Sequence, residues 1–368
     1  MNLVNATGLP AGWTMGLRRD GRETLIVIVK STWTLPASGH APAIAAEQVP
    51  LVEADCFTGE PGCSAPLYET DYAHFKPACD VLLIGSACAP AGRPTTRVNV
   101  GIGVGTVLKQ FAVVGPRRWR KRLTGVRPDD PTPFVTLRIG YDVAFGGTDR
   151  TEESHGRTAT YLTNPVGRGY WRHTAKIDGQ PLPNTEQIGV PVTDPGGSYV
   201  PMALSPIGRS WTPRCRFAGT YDETWLENTA PLWPNDFDER YFQAAPADQV
   251  LSYPKGGEEI TLLNLTSDGR RHFRLPEKRM PVTFIPYKGC DVVREAFLDT
   301  IVLEPDDQRF TLTWRATLAL GRSIFDVKEV VAGEMSAAWH RARRFPHKTY
   351  YRSLTDAVKA HRARRESQ

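Results

Sequence analysis

The chain has 368 residues, 40% of them hydrophobic and 23% charged, with a formal net charge of +5. That length and balance exclude a disordered or fibrous chain and allow one large all-β domain or two ordinary ones. The basic excess is concentrated: nine Lys or Arg between residues 341 and 365 face Asp356 alone, so the body is near neutral and a general nucleic-acid surface is not indicated.

Gly (32) and Pro (30) stand modestly above the usual share, which favours turns and short strands over long helices. Cys56, Cys63, Cys79, Cys88, Cys215 and Cys290 form no CxxC pair, and no His sits at zinc-finger spacing from them. Buried or half-buried free thiols are expected. Residues 1–17 carry no basic segment followed by an apolar run, and no window approaches about 18 apolar residues, so a cytoplasmic chain without a membrane span is expected.

In chain order, residues 24–35 (TLIVIVKSTWTL) come first. This β-branched run is continuous rather than alternating, as for a strand buried on both faces. Val98, Val100, Ile102 and Val104 then alternate with Asn99, Gly101 and Gly103, a strand with one apolar face, and residues 110–114 follow as another. Gly101, Gly103 and Gly105 make a GxGxG string, but β-like sequence follows where a dinucleotide fingerprint needs a helix, so a phosphate loop is rejected.

Residues 144–147 (AFGG) mark a close backbone approach. Residues 163–186 and 190–214 are Pro/Gly-rich and make a long irregular middle, with Tyr170, Trp171, Tyr199 and Trp211 available as pins. Residues 217–249 combine seven aromatics with seven acids against the single base Arg240. Such a stretch lays its rings on a core and directs its acids to water, buried bases or a partner. Asp222 and Asp236 are candidate N-caps of single helical turns there.

Residues 258–265 and 311–320 return to strand character. Trp33 and Trp314 sit in similar settings (Lys30, Thr32; Arg315, Thr317), so the first and last long strands are expected to be neighbours in one sheet. The best helix is C-terminal, with Ser353 as cap, Asp356 closing a capping box, and Leu354, Ala357, Val358 and His361 on one face. With no internal repeat, the expected fold is mainly β: a β-sandwich-like body with long irregular Pro/Gly-rich loops and a short C-terminal helical tail. Residues 1–325 are expected as one β-rich domain with a loop-rich insert at about 130–250, and residues 326–368 as a basic, partly helical tail.

Chemistry is thinly signalled. Asp222/Glu223 and Asp236/Asp238 lie beside aromatics, as do the paired acids of sugar-cleaving sites, which flank a bond about 5–10 Å apart. Asp236-Phe237-Asp238 and Glu304-Pro305-Asp306-Asp307 offer oxygen ligands without the calcium-loop pattern, and the second reads as a polar turn between strands. No GxSxG elbow occurs, and the eight histidines are scattered. No cofactor and no metal are expected. In the tail, Trp339, Arg341, Arg343, Arg344, Tyr350, Tyr351 and Arg352 interleave rings with bases. That pattern suits nucleic acid, a partner protein or the chain's own acidic stretch, and the opposite charge of residues 222–239 favours the last.

An ordered set of strings resembles the bacterial domain-of-unknown-function 2169 family. They are Val29-Lys30-Ser31-Thr32, Lys76-Pro77-Ala78-Cys79-Asp80-Val81, Gly115-Pro116-Arg117-Arg118-Trp119, Ala144-Phe145-Gly146-Gly147, Asn164-Pro165-Val166-Gly167 and Leu182-Pro183-Asn184-Thr185-Glu186. Trp211-Thr212-Pro213-Arg214, Ala218-Gly219-Thr220-Tyr221-Asp222, Asp236-Phe237-Asp238, Ala245-Pro246-Ala247-Asp248-Gln249 and Asp299-Thr300 continue the set, which covers roughly residues 1–320. One departure is Met202-Ala203-Leu204-Ser205, which stands where the family has a Gly-Phe-Gly-like segment.

The resemblance implies a role around type VI secretion. Members are encoded beside the spike protein VgrG, PAAR-type spike tips and toxic effectors, and are regarded as adaptors or chaperones that load effector onto the spike. The family has no agreed catalytic residues, so a non-catalytic protein is expected, with a PAAR-type tip, an effector and VgrG as partners. Interfaces favour aromatics and Arg, which makes Tyr221, Asp222, Trp225, Trp233, Asp236, Asp238, Arg240 and Tyr241 the candidate partner-binding residues. Asn164, Asn184 and Asp248 suit a partner surface or, equally, ties from loops to backbone groups. The competing readings are a carbohydrate-active hydrolase using the paired acids, and an exported glycan-binding or spike component.

Overall fold

The computed structural model describes every residue except Arg322, Pro346, 348–350, Arg352, 367 and 368. Tyr350 and Arg352 of the ring-and-base pattern therefore lie outside the described residues. Three main sheets are built from β1 (Asn2–Asn5), β2 (Ala11–Leu17), β3 (Glu23–Thr34), β4 (Cys79–Leu83), β5 (Arg97–Val104), β6 (Val107–Val114), β7 (Thr185–Glu186), β8 (Val250–Leu251) and β9 (Glu259–Leu263). They are completed by β10 (Arg270–Arg274), β11 (Pro281–Pro286), β12 (Val292–Glu295), β13 (Phe297–Glu304), β14 (Arg309–Ala319) and β15 (Val327–Ala332).

A six-stranded sheet runs β8-β4-β13-β14-β3-β2, a five-stranded sheet β7-β6-β5-β9-β10, and a four-stranded sheet β1-β15-β11-β12. The β-branched run of residues 24–35 does form the long central strand β3, buried from Thr24 through Thr32. It pairs antiparallel with β14 from Thr34↔Arg309 to Thr24↔Ala319, so the first and last long strands are indeed neighbours. The GxGxG string lies in and just after β5, and Gly105 (φ +54°) opens the β5–β6 hairpin instead of a helix.

One hydrophobic core is shared by all three sheets. Val27 and Val29 of β3, Leu83 of β4, Ile301 and Leu303 of β13, and Phe310 and Leu312 of β14 cluster with Val100 and Ile102 of β5 and Phe111 and Val113 of β6. Val282, Phe284 and Val330 of the four-stranded sheet join them. Face-to-face burial of alternating side chains is what makes such a body sandwich-like. Apolar transfer at roughly 25 cal/mol per Å² is its main stabilising term.

The irregular middle is held by rings, as the sequence suggests. Trp119, Phe145, Ile177, Leu182 and Val192 form a second cluster edged by Tyr161, Tyr170, Trp171 and Tyr199. Trp211 joins a third with Tyr141, Ala144, Ala203 and Ile207. Polar ties reinforce them. Asn164 Nδ2 donates to the carbonyls of Tyr141 (2.8 Å) and Phe145 (3.0 Å), and Asn184 Nδ2 to that of Val114 (2.9 Å). Asp248 differs from expectation: its carboxylate pairs with the Lys109 ammonium at 3.1 Å instead of capping backbone. The Met202–Ser205 segment is buried, and its Leu204 carbonyl accepts from Leu83 N (2.9 Å) and Gln249 Nε2 (3.0 Å).

Three expectations need correction. Residues 327–332 are not tail: β15 sits between β1 and β11 with Val330, Val331 and Ala332 fully or almost fully buried, because its β-branched side chains complete the core. The cysteines are free, but Cys56, Cys63, Cys215 and Cys290 are exposed, since they fall on loops, a two-residue strand or the end of a one-turn helix, outside the main sheets' buried faces. The second helical turn of the acidic stretch is capped by Asp238, because Asp236 is engaged elsewhere. The α-helices of the middle are α1 (Thr212–Cys215) and α2 (Glu223–Asn228), and beyond β15 come α3 (Ala337–Arg344) and α4 (Leu354–Glu366), the last opened by Ser353, whose hydroxyl accepts from Asp356 N at 3.1 Å and donates to its carboxylate at 2.9 Å.

Two glycines separate the strand reading from the tight-approach reading. A Cβ on Gly103 would meet nothing nearer than 3.7 Å, whereas one on Gly146 (φ +148°) would stand 2.2 Å from the Asn164 carbonyl oxygen. In urea denaturation, Gly103→Ala is expected to shift stability by less than about 1 kcal/mol, and Gly146→Ala to cost more than about 2 kcal/mol. The reverse order would contradict the assignment.

Candidate functional site

A strand buried on both faces has no room for an unpaired charge. Yet β3 carries Lys30 and β14 carries Arg315, both 4% exposed. They belong to the outer face of the six-stranded sheet, opposite the main core. The registers place Lys30 beside Thr313, Thr313 beside Thr300 and Thr300 beside Asp80, a polar row across four strands. The next row is Thr32, Thr311, Val302 and Leu82.

Loops cover this face and supply the counter-charges. Asp71 accepts from Lys30 Nζ at 3.0 Å and from Val52 N at 2.8 Å. Arg315 bonds the Asp299 carboxylate at 2.5 Å and donates to the carbonyls of Ala73 (2.8 Å) and Asp71 (2.9 Å). Asp80, fully buried, accepts from Lys76 Nζ (2.7 Å), Gln243 Nε2 (3.3 Å), Ala244 N (2.9 Å) and Ala245 N (3.2 Å). Burial works to lower the Lys76 ammonium, but the carboxylates of Asp80, Asp299 and Glu69 outweigh it and hold its pKa above the ordinary value. Glu69 accepts from Arg214 (2.6 Å) and Arg209 (2.5 Å), and Glu304 accepts from Tyr68 (2.5 Å) and Arg309 (3.1 Å). Between loops and sheet lies a cavity of about 170 Å³.

Many strings that carry the resemblance meet one another in such ties. Lys76 donates to Thr300 at 2.9 Å, Ala245 N to Asp80 at 3.2 Å, and Arg117 to Glu186 at 2.5 Å. Gly147 N donates to the Asn164 carbonyl at 2.9 Å.

Residues 217–242 form the outermost cover and divide into two sides. Facing inward, Trp233 stacks on Phe237 (centroids 4.5 Å apart) and meets Phe242 edge-on (5.8 Å), and its Nε1 donates to the Leu17 carbonyl at 2.9 Å. Trp233 is thus half-buried and engaged in packing. Tyr241 is half-buried; its carbonyl accepts from Arg214 at 2.7 Å, and that guanidinium lies 5.6 Å from its ring. Facing outward, Tyr221 (53% exposed) meets the half-buried Trp225 edge-on at 4.7 Å, next to Leu226 (65% exposed) on α2 (Glu223–Asn228). Leu226 is a surface residue that the aromatic count passed over.

The acids here have local tasks. Asp222 caps α2 by accepting from Trp225 N at 2.8 Å. Asp236 accepts from Thr220 N (2.9 Å) and Oγ1 (2.7 Å), closing the base of the excursion, and those bonds hold its pKa below the usual range. Asp238 grips Arg240, whose guanidinium lies 4.2 Å from the Phe217 ring centroid; that ion pair lowers the Asp238 pKa. Asp222, Asp236 and Asp238 are therefore engaged in holding the cover's own turns, while Glu223 is exposed in the first turn of α2. Arg343 of the tail pairs at 2.6 Å with Asp291 of the body, an acid outside residues 222–239. Among the described residues no group of three or more His, Cys, Asp or Glu is placed to hold a metal, and no helix is long and apolar enough to cross a membrane.

His74 was lost among scattered histidines, yet its ring packs against Phe242 (5.4 Å) and Trp233 (6.0 Å) beneath the cover. It lines a cleft of about 400 Å³ between the start of β3 and the ring cluster. Burial, with the positive charges of Arg315 and Arg209, pushes its pKa below the ordinary 6.5.

The family model described as an uncharacterized protein conserved in bacteria (DUF2169) matches residues 20–315, and the chain belongs to that family. No curated protein and no solved structure matches.

The depressed His74 pKa has a definite pH signature. The unfolded imidazole takes its proton near 6.5, while the folded one resists it, so this contribution is complete above about 6.5 and is lost as pH falls through the folded value. The urea midpoint is expected to fall from pH 7.5 to pH 5, and to fall less in His74→Phe. Equal slopes would show that His74 does not couple the cover to pH.

Proposed function

We propose that this member of the family is a non-catalytic adaptor or chaperone that holds a type VI secretion effector or a PAAR-type spike tip for loading onto the VgrG spike. The observation that carries the reading is the outward side of the cover. Tyr221, Trp225 and Leu226 form a small apolar tip, rimmed by Asp222, Glu223 and Glu227 and closed at its base by the bonds between Thr220 and Asp236. A fixed aromatic tip lowers the entropy cost of docking, and acids around it favour a partner patch that is apolar at its centre and basic at its edge. The structural engagement of Asp222, Asp236 and Asp238 supports binding over bond cleavage. A cytoplasmic place of action goes with loading before export.

Co-expression pull-down with the neighbouring PAAR-type or effector protein tests it. Tyr221→Ala with Leu226→Ser removes the tip without touching the inward rings, and should weaken capture at least about tenfold, as for truncated interface anchors. Removal of residues 337–368 should leave capture intact. Unchanged capture by the tip variant, or loss of capture with the tail from a folded body, would overturn this placement of the surface.

A further inference from the structure

The cavity over the outer sheet face plays no part in the adaptor reading and has a chemistry of its own. Its volume of about 170 Å³ is on the scale of an engineered cavity of about 150 Å³ that takes benzene. Val52, Leu67, Leu82 and Val302 give it apolar walls. The polar part of the lining is unequal in what it leaves unused. An ammonium carries three donors. Lys30 Nζ uses one, on Asp71, and Lys76 Nζ uses two, on Asp80 and Thr300. Thr311, 3% exposed, makes no side-chain hydrogen bond among the described residues.

The lining acceptors, by contrast, are occupied or closed off. Asp71 accepts from Lys30, Val52 N and Thr313, and Glu304 from Tyr68 and Arg309. Glu69 gives Oε1 to two guanidinium groups, and its Oε2 is fully buried, facing protein and not open space. The counter-ions of Lys76 and Arg315, Asp80 and Asp299, are not part of the lining. What the cavity offers an occupant is therefore unused donors, on ammonium groups already paired with Asp71 and Asp80, and apolar wall. The donors share one face and one cavity lining: Lys30 is registered beside Thr313, Thr313 beside Thr300, and Thr300 receives Lys76, while Thr311 lies one row away on the same face.

We propose that this cavity binds a short-chain organic carboxylate, its headgroup taken by Lys30, Lys76 and Thr311 and its hydrocarbon part by Val302 and Leu82. Charge-assisted hydrogen bonds from buried ammonium groups suit a carboxylate better than a neutral polar molecule. Water would fill the donors without using the apolar walls.

Thermal unfolding of the full chain with sodium butyrate, against equal concentrations of butyramide and sodium chloride, tests the proposal, with saturation-transfer NMR reading direct contact. Butyrate well above its Kd should raise the Tm by about 1–4 °C, while the amide and the salt give no comparable rise. Val302→Phe fills the space without removing a charge and should abolish both the rise and the NMR signal in a protein with unchanged circular dichroism. Thr311→Val, close in shape, should weaken butyrate about 3–10-fold and serves where Val302→Phe does not fold. A butyrate effect no larger than that of butyramide or chloride overturns the proposal. So does an effect that survives Val302→Phe, or one untouched in Thr311→Val.

Discussion

The structure depends on a sheet face that is charged and still buried. Apolar contacts explain how the three sheets close on one core and how rings pin the irregular middle, but they do not alone explain why loops cover the outer face of the six-stranded sheet. That follows from Lys30, Asp80, Thr300, Thr313 and Arg315, which leave the outer face of the six-stranded sheet with groups that need partners. Each covering loop brings one: Asp71 for Lys30, Lys76 and the amides of Ala244 and Ala245 for Asp80, and the carbonyls of Ala73 and Asp71 for Arg315. Buried ion pairs give little net stability relative to apolar packing, but removing one partner costs about 3–5 kcal/mol. Their effect here is to specify: other loop placements would strand a charge.

The function proposed for the cover rests on the same division. Trp233, Phe237 and Phe242 belong to the body because they stack on one another and on His74. Tyr221, Trp225 and Leu226 project because α2 is capped at Asp222 and the excursion is closed between Thr220 and Asp236. On the proposed reading, the acids hold the tip in place, and recognition is left to a few apolar side chains and the charge around them.

Much of the fold was legible in the sequence because the long strands carry strong periodic signals. Residues 24–35 and 311–320 read as strands, and their shared setting of a Trp near a base and a Thr pointed to their pairing. The aromatic pins of the middle and the Ser353 cap were legible for the same reason, since rings and caps act locally. Position 327–332 was not, because a short Val-rich strand beside a basic tail looks like the tail's beginning until β1 and β11 flank it. The charged face was half legible. Lys30 inside an apolar run and Arg315 inside another each announce a buried charge, but the partners lie from 16 to 244 residues away. Within residues 217–242 composition gave the ingredients, while the inward or outward side of each ring was set by contacts with Leu17, His74 and Arg214 that no local pattern encodes.

The measurement that tests the central claim most directly is native-state hydrogen exchange on the full chain at neutral pH. If buried charge fastens the cover to the sheet, the amides of Ala244, Ala245 and Val52, which donate to Asp80 and Asp71, should be protected to within about tenfold of the amides of Ile301 and Leu312 and open with them. If those loop amides exchange about a thousandfold faster, in a local opening that leaves the sheet protected, the cover is only resting on the sheet and the account is wrong.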